Sequence, residues 1–171
     1  MTLQEQLQRF ISLYTGAPNV GDTAVNAGEC VGLIEVWTDA LGLPHTWGNA
    51  KDLLADANQL FFDVIYNTPT NYPVAGDVIV WDETWGNGLG HTGIIVQANV
   101  NNCDGFEQNN PPGHAPQIVH HASYAGVKGW LHPKLSPQQP GDDVLLSQIQ
   151  AIVNGQGDPH TKITNIRNVL Q

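Results

Sequence analysis

Basic residues are scarce in this chain: six Lys and Arg stand against sixteen Asp and Glu, a formal charge of −10 over 171 residues. That deficit excludes a nucleic-acid backbone as the main partner, because phosphate binding needs a basic surface. An anionic polymer fits only if it is gripped through neutral groups. Cysteine is nearly absent. Cys30 and Cys103 permit one disulfide at most and fit an intracellular chain with free thiols. No run approaches the roughly 20 apolar residues of a membrane span, so no membrane partner is expected. The first residues, MTLQEQLQRF, lack the positive region and apolar stretch of a secretory signal. Charged residues are few, at 13%, while hydrophobic ones make up 41%, which excludes disorder and supplies a packed core. The length suits one ordinary domain with a small appendage.

What charge there is lies unevenly. Residues 1–135 carry 13 acids and 4 bases, a balance of −9, and residues 136–171 carry 3 and 2, a balance of −1. The polar segment Ser136-Pro137-Gln138-Gln139-Pro140-Gly141 separates them, which predicts a domain over 1–135, a linker over 136–142 and a tail over 143–171. Thr2 with Glu5 has capping-box spacing, and Leu3, Leu7, Phe10, Ile11 and Tyr14 form an apolar stripe, so a helix is expected up to Gly16. A Gly/Asn/Asp-rich loop follows. A second helix opens at Cys30, with Ile34, Trp37 and Leu41 on the same face, and Gly42 and Pro44 end it. Asn49 can cap a third helix from Ala50 to about Asn58. Short strands are then expected at 61–66, 77–81, 91–97, 105–108, 117–121 and 128–132. Helices followed by a run of strands predict an α+β domain with a mostly antiparallel sheet. The tail predicts a helix over 143–153 and a second from Thr161. Such a hairpin cannot bury its apolar face alone, so it must pack on the main domain or on another copy, which makes self-association or targeting its expected role.

Three segments carry chemistry. In Gly28-Glu29-Cys30-Val31-Gly32 a thiol sits where a loop turns into a helix, beside unpaired N–H groups and the positive end of the dipole. Both favour thiolate, the nucleophilic form, and the same N–H groups can bind an oxyanion. Cys30 is equally readable as a small core residue against Ile34 and Trp37. In Gly90-His91-Thr92-Gly93-Ile94-Ile95 a histidine opens an apolar strand between glycines that allow close approach. A general base needs one ring nitrogen accessible and the other held by a partner. In Phe106-Glu107-Gln108-Asn109-Asn110 the two-residue strand period puts Glu107 and Asn109 on one face, and either can accept from the imidazole. Each segment by itself is also ordinary structure. Their chain order, cysteine at a helix start, then histidine at a strand start, then a polar residue on the next strand, is that of papain-like thiol hydrolases.

Together with Trp47-Gly48-Asn49-Ala50 and Pro73-Val74-Ala75-Gly76-Asp77-Val78-Ile79-Val80, these segments resemble the CHAP domain, the cysteine, histidine-dependent amidohydrolase/peptidase module of phage endolysins and bacterial wall hydrolases. The likeness spans residues 20–132. It implies a papain-like α+β fold with Cys30 as nucleophile, His91 as general base, Glu107 as the residue orienting it and Asn109 as a polar companion. It also implies that Trp47, Asn49 and Gly90 lie along a substrate groove. The implied activity is cleavage of an amide bond of bacterial peptidoglycan, as N-acetylmuramoyl-L-alanine amidase or as stem or cross-bridge endopeptidase. With no signal segment, the analogy places synthesis in a host cytoplasm and action on the wall after release. The alternatives are a non-catalytic wall- or partner-binding module on the same fold, and an NlpC-type endopeptidase, whose third residue is often another histidine.

Two departures from the family stand out. Glu29 occupies the place of a glutamine common before the nucleophile, and its charge opposes thiolate formation unless it points away. Some phage members bind calcium through alternating aspartates in the preceding loop. Here Gly21, Thr23, Val25 and Ala27 stand in that stretch and Gly32 after the cysteine, too few oxygens for calcium. No metal or cofactor is expected. His120 and His121 point to opposite faces of a strand, so a zinc site using His114, His120 or His132 is disfavoured. Cys103 lies in a polar turn with nothing to activate it.

Overall fold

The computed structural model describes residues 1–22, 24–45, 48–135, 152–153 and 162–163. Helix α1, Leu3–Tyr14, starts with the reciprocal capping box that Thr2 and Glu5 predict: Glu5 N donates to Thr2 Oγ1 at 3.2 Å and Thr2 N to Glu5 Oε2 at 2.7 Å. Helix α2, Cys30–Ala40, buries Leu33, Ile34 and Trp37. Their facing surfaces lock through Phe10, whose ring meets Trp37 edge-on at 5.0 Å, a favoured aromatic geometry.

The third helix is shorter than expected. A 3-10 turn, Ala50–Asp52, runs into the single-turn α3, Leu53–Asp56, and Ala57 is already extended. Asn49 makes no capping bond; its amide donates to Asp52 Oδ2 at 3.1 Å. The reason for the missing cap is tertiary: Lys51 N, a first-turn donor that the Asn49 side chain would hold, donates instead to the Leu89 carbonyl at 3.1 Å, which ties this segment to the loop before the fourth-last strand.

Six strands follow: β1 Phe62–Tyr66, β2 Val78–Trp81, β3 His91–Ala98, β4 Cys103–Glu107, β5 Gln117–His121 and β6 Val127–Pro133. They form one antiparallel sheet in the order β1-β6-β2-β3-β4-β5, so the domain is α+β, as the order of elements predicts. The two-residue period sorts the side chains. Val78, Val80, Ile94, Phe106 and Leu131 pack with the helices, while Ile79, Trp81, Ile95, Cys103 and Trp130 form a second apolar cluster. Each such side chain contributes about 1.5–3 kcal/mol on full burial. With both faces covered, β2 is buried along its whole length, and Trp81 and Trp130 are core residues.

The chain divides into two units, residues 1–135 and 136–171. In the second, residues 152–153 and 162–163 are helical, and Lys162 Nζ donates to the Val153 carbonyl at 2.8 Å. The predicted linker over 136–142 and the rest of the tail lie outside the described residues, as does Trp47.

Candidate active site

Register brings the chemistry to one sheet face. Trp81 pairs with His91, Ile95 with Gly105, and Cys103 with His121. By alternation, His91, Gly93, Gly105, Glu107 and His121 therefore share the face that carries Trp81. On it, Glu107 is fully buried and lies between two histidines. His91 Nε2 donates to Glu107 Oε2 at 2.8 Å and His121 Nε2 donates to Oε1 at 2.5 Å. Asn110 Nδ2 adds a third donor to Oε2 at 2.8 Å.

These donors decide the ionisation. Burial pushes the Glu107 carboxyl up, but His121 and His91 outweigh it and hold it at about 2, so it accepts from both rings as a carboxylate. Burial pushes His91 down. The Cys30 sulfur and the Glu107 carboxylate together outweigh that and raise it to about 9. Trp81 and Trp85 lie 5.4 and 5.9 Å from the His91 ring, Trp85 nearly parallel at 19°, and an indole face within about 6 Å further favours a cationic ring. With Nε2 engaged by Glu107, Nδ1 is the nitrogen left for Cys30.

The carboxylate reaches both rings only because two neighbours have no side chain. A Cβ at Gly105 would stand 2.3 Å from Glu107 Oε1, and one at Gly93 would stand 2.5 Å from its Cγ. Gly105→Ala is therefore expected to force the carboxylate off its histidines without disturbing the strand. The cost should be about 1.5–3 kcal/mol per charged hydrogen bond lost. Disappearance of the hydrogen-bonded imidazole N–H signals, with an unchanged far-UV spectrum, checks this.

Cys30 opens α2 and is half-buried. Glu29, the N-cap residue, makes no capping bond, so its side chain occupies none of the first-turn N–H groups. Those groups can face a developing oxyanion. Two residues after Glu107 tie the start of α2 to the end of β4. Gln108 is buried; its Nε2 donates to the Val20 and Glu29 carbonyls at 2.7 and 2.8 Å, and its Oε1 accepts from Val20 N at 3.0 Å. Asn109 Nδ2 donates to Glu29 Oε2 at 2.8 Å.

Asn109 thus departs from the expectation that it shares a strand face with Glu107. Strand β4 ends at Glu107 and Asn109 turns into the left-handed region, φ 62°, so it grips Glu29 and leaves His91 to Glu107. Cys30, His91, Glu29, Asn49, Gly90 and Asn109 all line one groove of about 420 Å³. Gly90, at φ +82°, lets the Lys51 segment close one wall: a Cβ there would stand 2.6 Å from Lys51 N.

Among the described residues, the other histidines have partners of their own. His120 pairs with Asp104 at 2.6 Å and His132 with Asp77 at 2.7 Å, while His114 meets Gln117 at 3.2 Å. Among the described residues, one group of three, Asp22, Asp39 and His45, brings metal-type ligand atoms within 4.8 Å of one another. Its His45–Asp39 contact, at 2.7 Å, is an ion-pair geometry on an exposed carboxylate. Cys103 is buried and pushed up to about 12 by that burial and by the nearby Glu107 and Asp104 charges.

A family comparison decides what this geometry belongs to: the CHAP domain matches residues 20–109, more than half of the chain. The chain belongs to the CHAP domain family. The match begins in the loop before Cys30 and ends at Asn109, so it contains the groove's cysteine, histidine and glutamate. No curated protein matches the chain. Among solved structures, the wild-type endolysin LysIME-EF1 is 26% identical with a TM-score of 0.63, covering 78% of this chain and 64% of that one. Ly7917 is 21% identical with a TM-score of 0.61, covering 78% and 62%. Ly7917 with the hydrolyzing product of MDP is 19% identical with a TM-score of 0.57, covering 77% and 63%. This CHAP chain therefore spans less than two thirds of the length of those chains, and the likeness to Ly7917 is one of fold.

Sequence reasoning gives no role beside Glu107 to His121, Asn110 or Gln108. The only trace of the first was its position on a strand next to the one carrying Glu107, and pairing partners between strands are not written in local sequence. Gly93 and Gly105 stood in view, at alternate strand positions where glycine marks a close approach.

Proposed function

We propose that this CHAP domain is a peptidoglycan hydrolase that cleaves an amide bond of the bacterial cell wall by a Cys-His-Glu thiol mechanism. The observation that carries the reading is His91, held by the Glu107 carboxylate on one ring nitrogen and acted on by the Cys30 sulfur in an open groove. The likeness to the endolysin LysIME-EF1 supports the substrate class.

In this reading the Cys30 proton resides on His91. The thiolate attacks the amide carbonyl carbon, and the first-turn N–H groups of α2 bind the oxyanion that forms. His91 delivers its proton to the amide nitrogen, the C–N bond breaks and the amine leaves. Water then attacks the thioester and gives one proton to His91, and the C–S bond breaks to restore the thiolate and release the carboxylic acid, which loses its own proton to solvent. Glu107 stays ionised throughout and compensates the imidazolium. Apart from the Cys30–His91 pair, the charged side chain among the described groove residues, Glu29, is drawn to Asn109, which leaves neutral amide side chains to grip a peptide.

Mass spectrometry of purified peptidoglycan digested by the protein tests the reading. A new amino terminus on the alanine next to the sugar identifies an amidase, and one elsewhere in the stem or bridge identifies an endopeptidase. Digests with no new amino terminus reject hydrolysis.

A further inference from the structure

His121 takes no part in the steps above, yet its placement is unusual for a strand residue. It is 8% exposed, sits opposite Cys103, and lies four residues along β5 from Gln117, the residue that faces Glu107. Direct pairing therefore does not explain its contact with Glu107. The carboxylate side chain lies back along its own strand, over Gly105, and so reaches the far histidine with one oxygen while the other meets His91. Trp81 and Trp85 close over both rings, at 4.7 and 5.8 Å from His121. A carboxylate anchored through one oxygen can still rotate about its last bond. One anchored through both cannot, and long side chains gain most from such restraint.

We propose that His121 is a positioning residue of this site, pinning Glu107 in the rotamer that fixes His91. This rests on the reading of Glu107 as the partner of His91. The titratable groups facing Glu107 are His91 from β3, His121 from β5 and Cys103 from its own strand, with Cys30 beyond His91.

The test uses the full chain with His121→Ala and His121→Gln, the second keeping an N–H donor. Its main readout is an NMR titration of the His91 imidazole, which needs no substrate and so stands apart from the peptidoglycan reading. In the wild type His91 should hold its proton up to about pH 9. In His121→Ala the midpoint should fall by about one unit, a tenfold change in the proton equilibrium. His121→Gln should restore most of that shift. Where peptidoglycan is turned over, kcat should fall about tenfold in the alanine variant with KM unchanged, the mark of a group acting only through the reacting geometry. An unchanged or raised His91 midpoint in His121→Ala overturns the proposal, as does a glutamine variant impaired as much as alanine. If the alanine variant does not fold, His121→Leu fills the volume without a donor and is read the same way. A wild type that releases no wall fragments, with the midpoint shift still seen in His121→Ala, keeps the positioning role and rejects only the substrate.

Discussion

Cys30→Ala should reduce peptidoglycan hydrolysis by roughly 10⁴–10⁶-fold while the protein folds as before. The size follows from losing the only atom that forms the covalent intermediate, with groove and N–H donors left to give residual catalysis. Retained folding follows from position: Cys30 is half-buried at the first position of α2, and alanine is the best helix former. Release of soluble wall fragments together with thermal unfolding separates the two effects. Cys103 supplies the contrast. Buried, with its thiol held up at about 12, it has no route to act as a nucleophile near neutral pH, so Cys103→Ala should leave turnover unchanged. Undiminished lysis by Cys30→Ala would falsify the thiol mechanism.

Local signals were the readable ones. The Thr2–Glu5 box, the stripe from Leu3 to Tyr14 and the cysteine at the start of α2 each depend on residues within a turn or two, and the structure has them as predicted. Turn residues put His91 at the start of one strand and Glu107 within the next, and β3 and β4 carry them, with β4 starting at Cys103 and ending at Glu107. What depends on distant chain was not readable. Asn49 failed to cap because Lys51 is bound to Leu89, and Asn109 left the face of Glu107 because the strand stops one residue before Gln108 turns to hold Val20 and Glu29. The site's second histidine depends on β5 lying beside β4 and on a missing side chain at Gly105. Four successive residues, Glu107 to Asn110, thereby serve two ends of the site: Glu107 holds His91 and is itself held by Asn110, while the middle two fasten the start of α2.

Glu107→Gln should lower kcat/KM by about 10²–10⁴-fold, in line with amide-for-acid changes at the third residue of such sites. A glutamine has one acceptor and one donor at its tip, whereas two imidazole N–H groups and the Asn110 amide all point at the carboxylate. One histidine must lose its bond or change tautomer. One of the two groups that keep His91 protonated also goes, with the Cys30 sulfur left, so its midpoint should fall below about 9 and carry the alkaline limb of the activity profile with it. The stability profile should change in the same sense. In the wild type, His91's raised value adds stability that is complete below pH 6.5 and lost as pH rises through about 9. Glu107's depressed value adds stability present above pH 4.5 and lost as pH falls through about 2. The glutamine variant should lose the acid-side dependence and keep a smaller alkaline one, flattening its unfolding profile most at low pH. Asn109→Ala removes the tether to Glu29 and the bond its Oδ1 accepts from Gly113 N, both exposed at the groove's edge and worth ~1 kcal/mol each, so activity should fall by no more than about tenfold. If Asn109→Ala proved the more damaging of the two, the orienting role would belong to Asn109, and the carboxylate between the histidines would be a structural clamp.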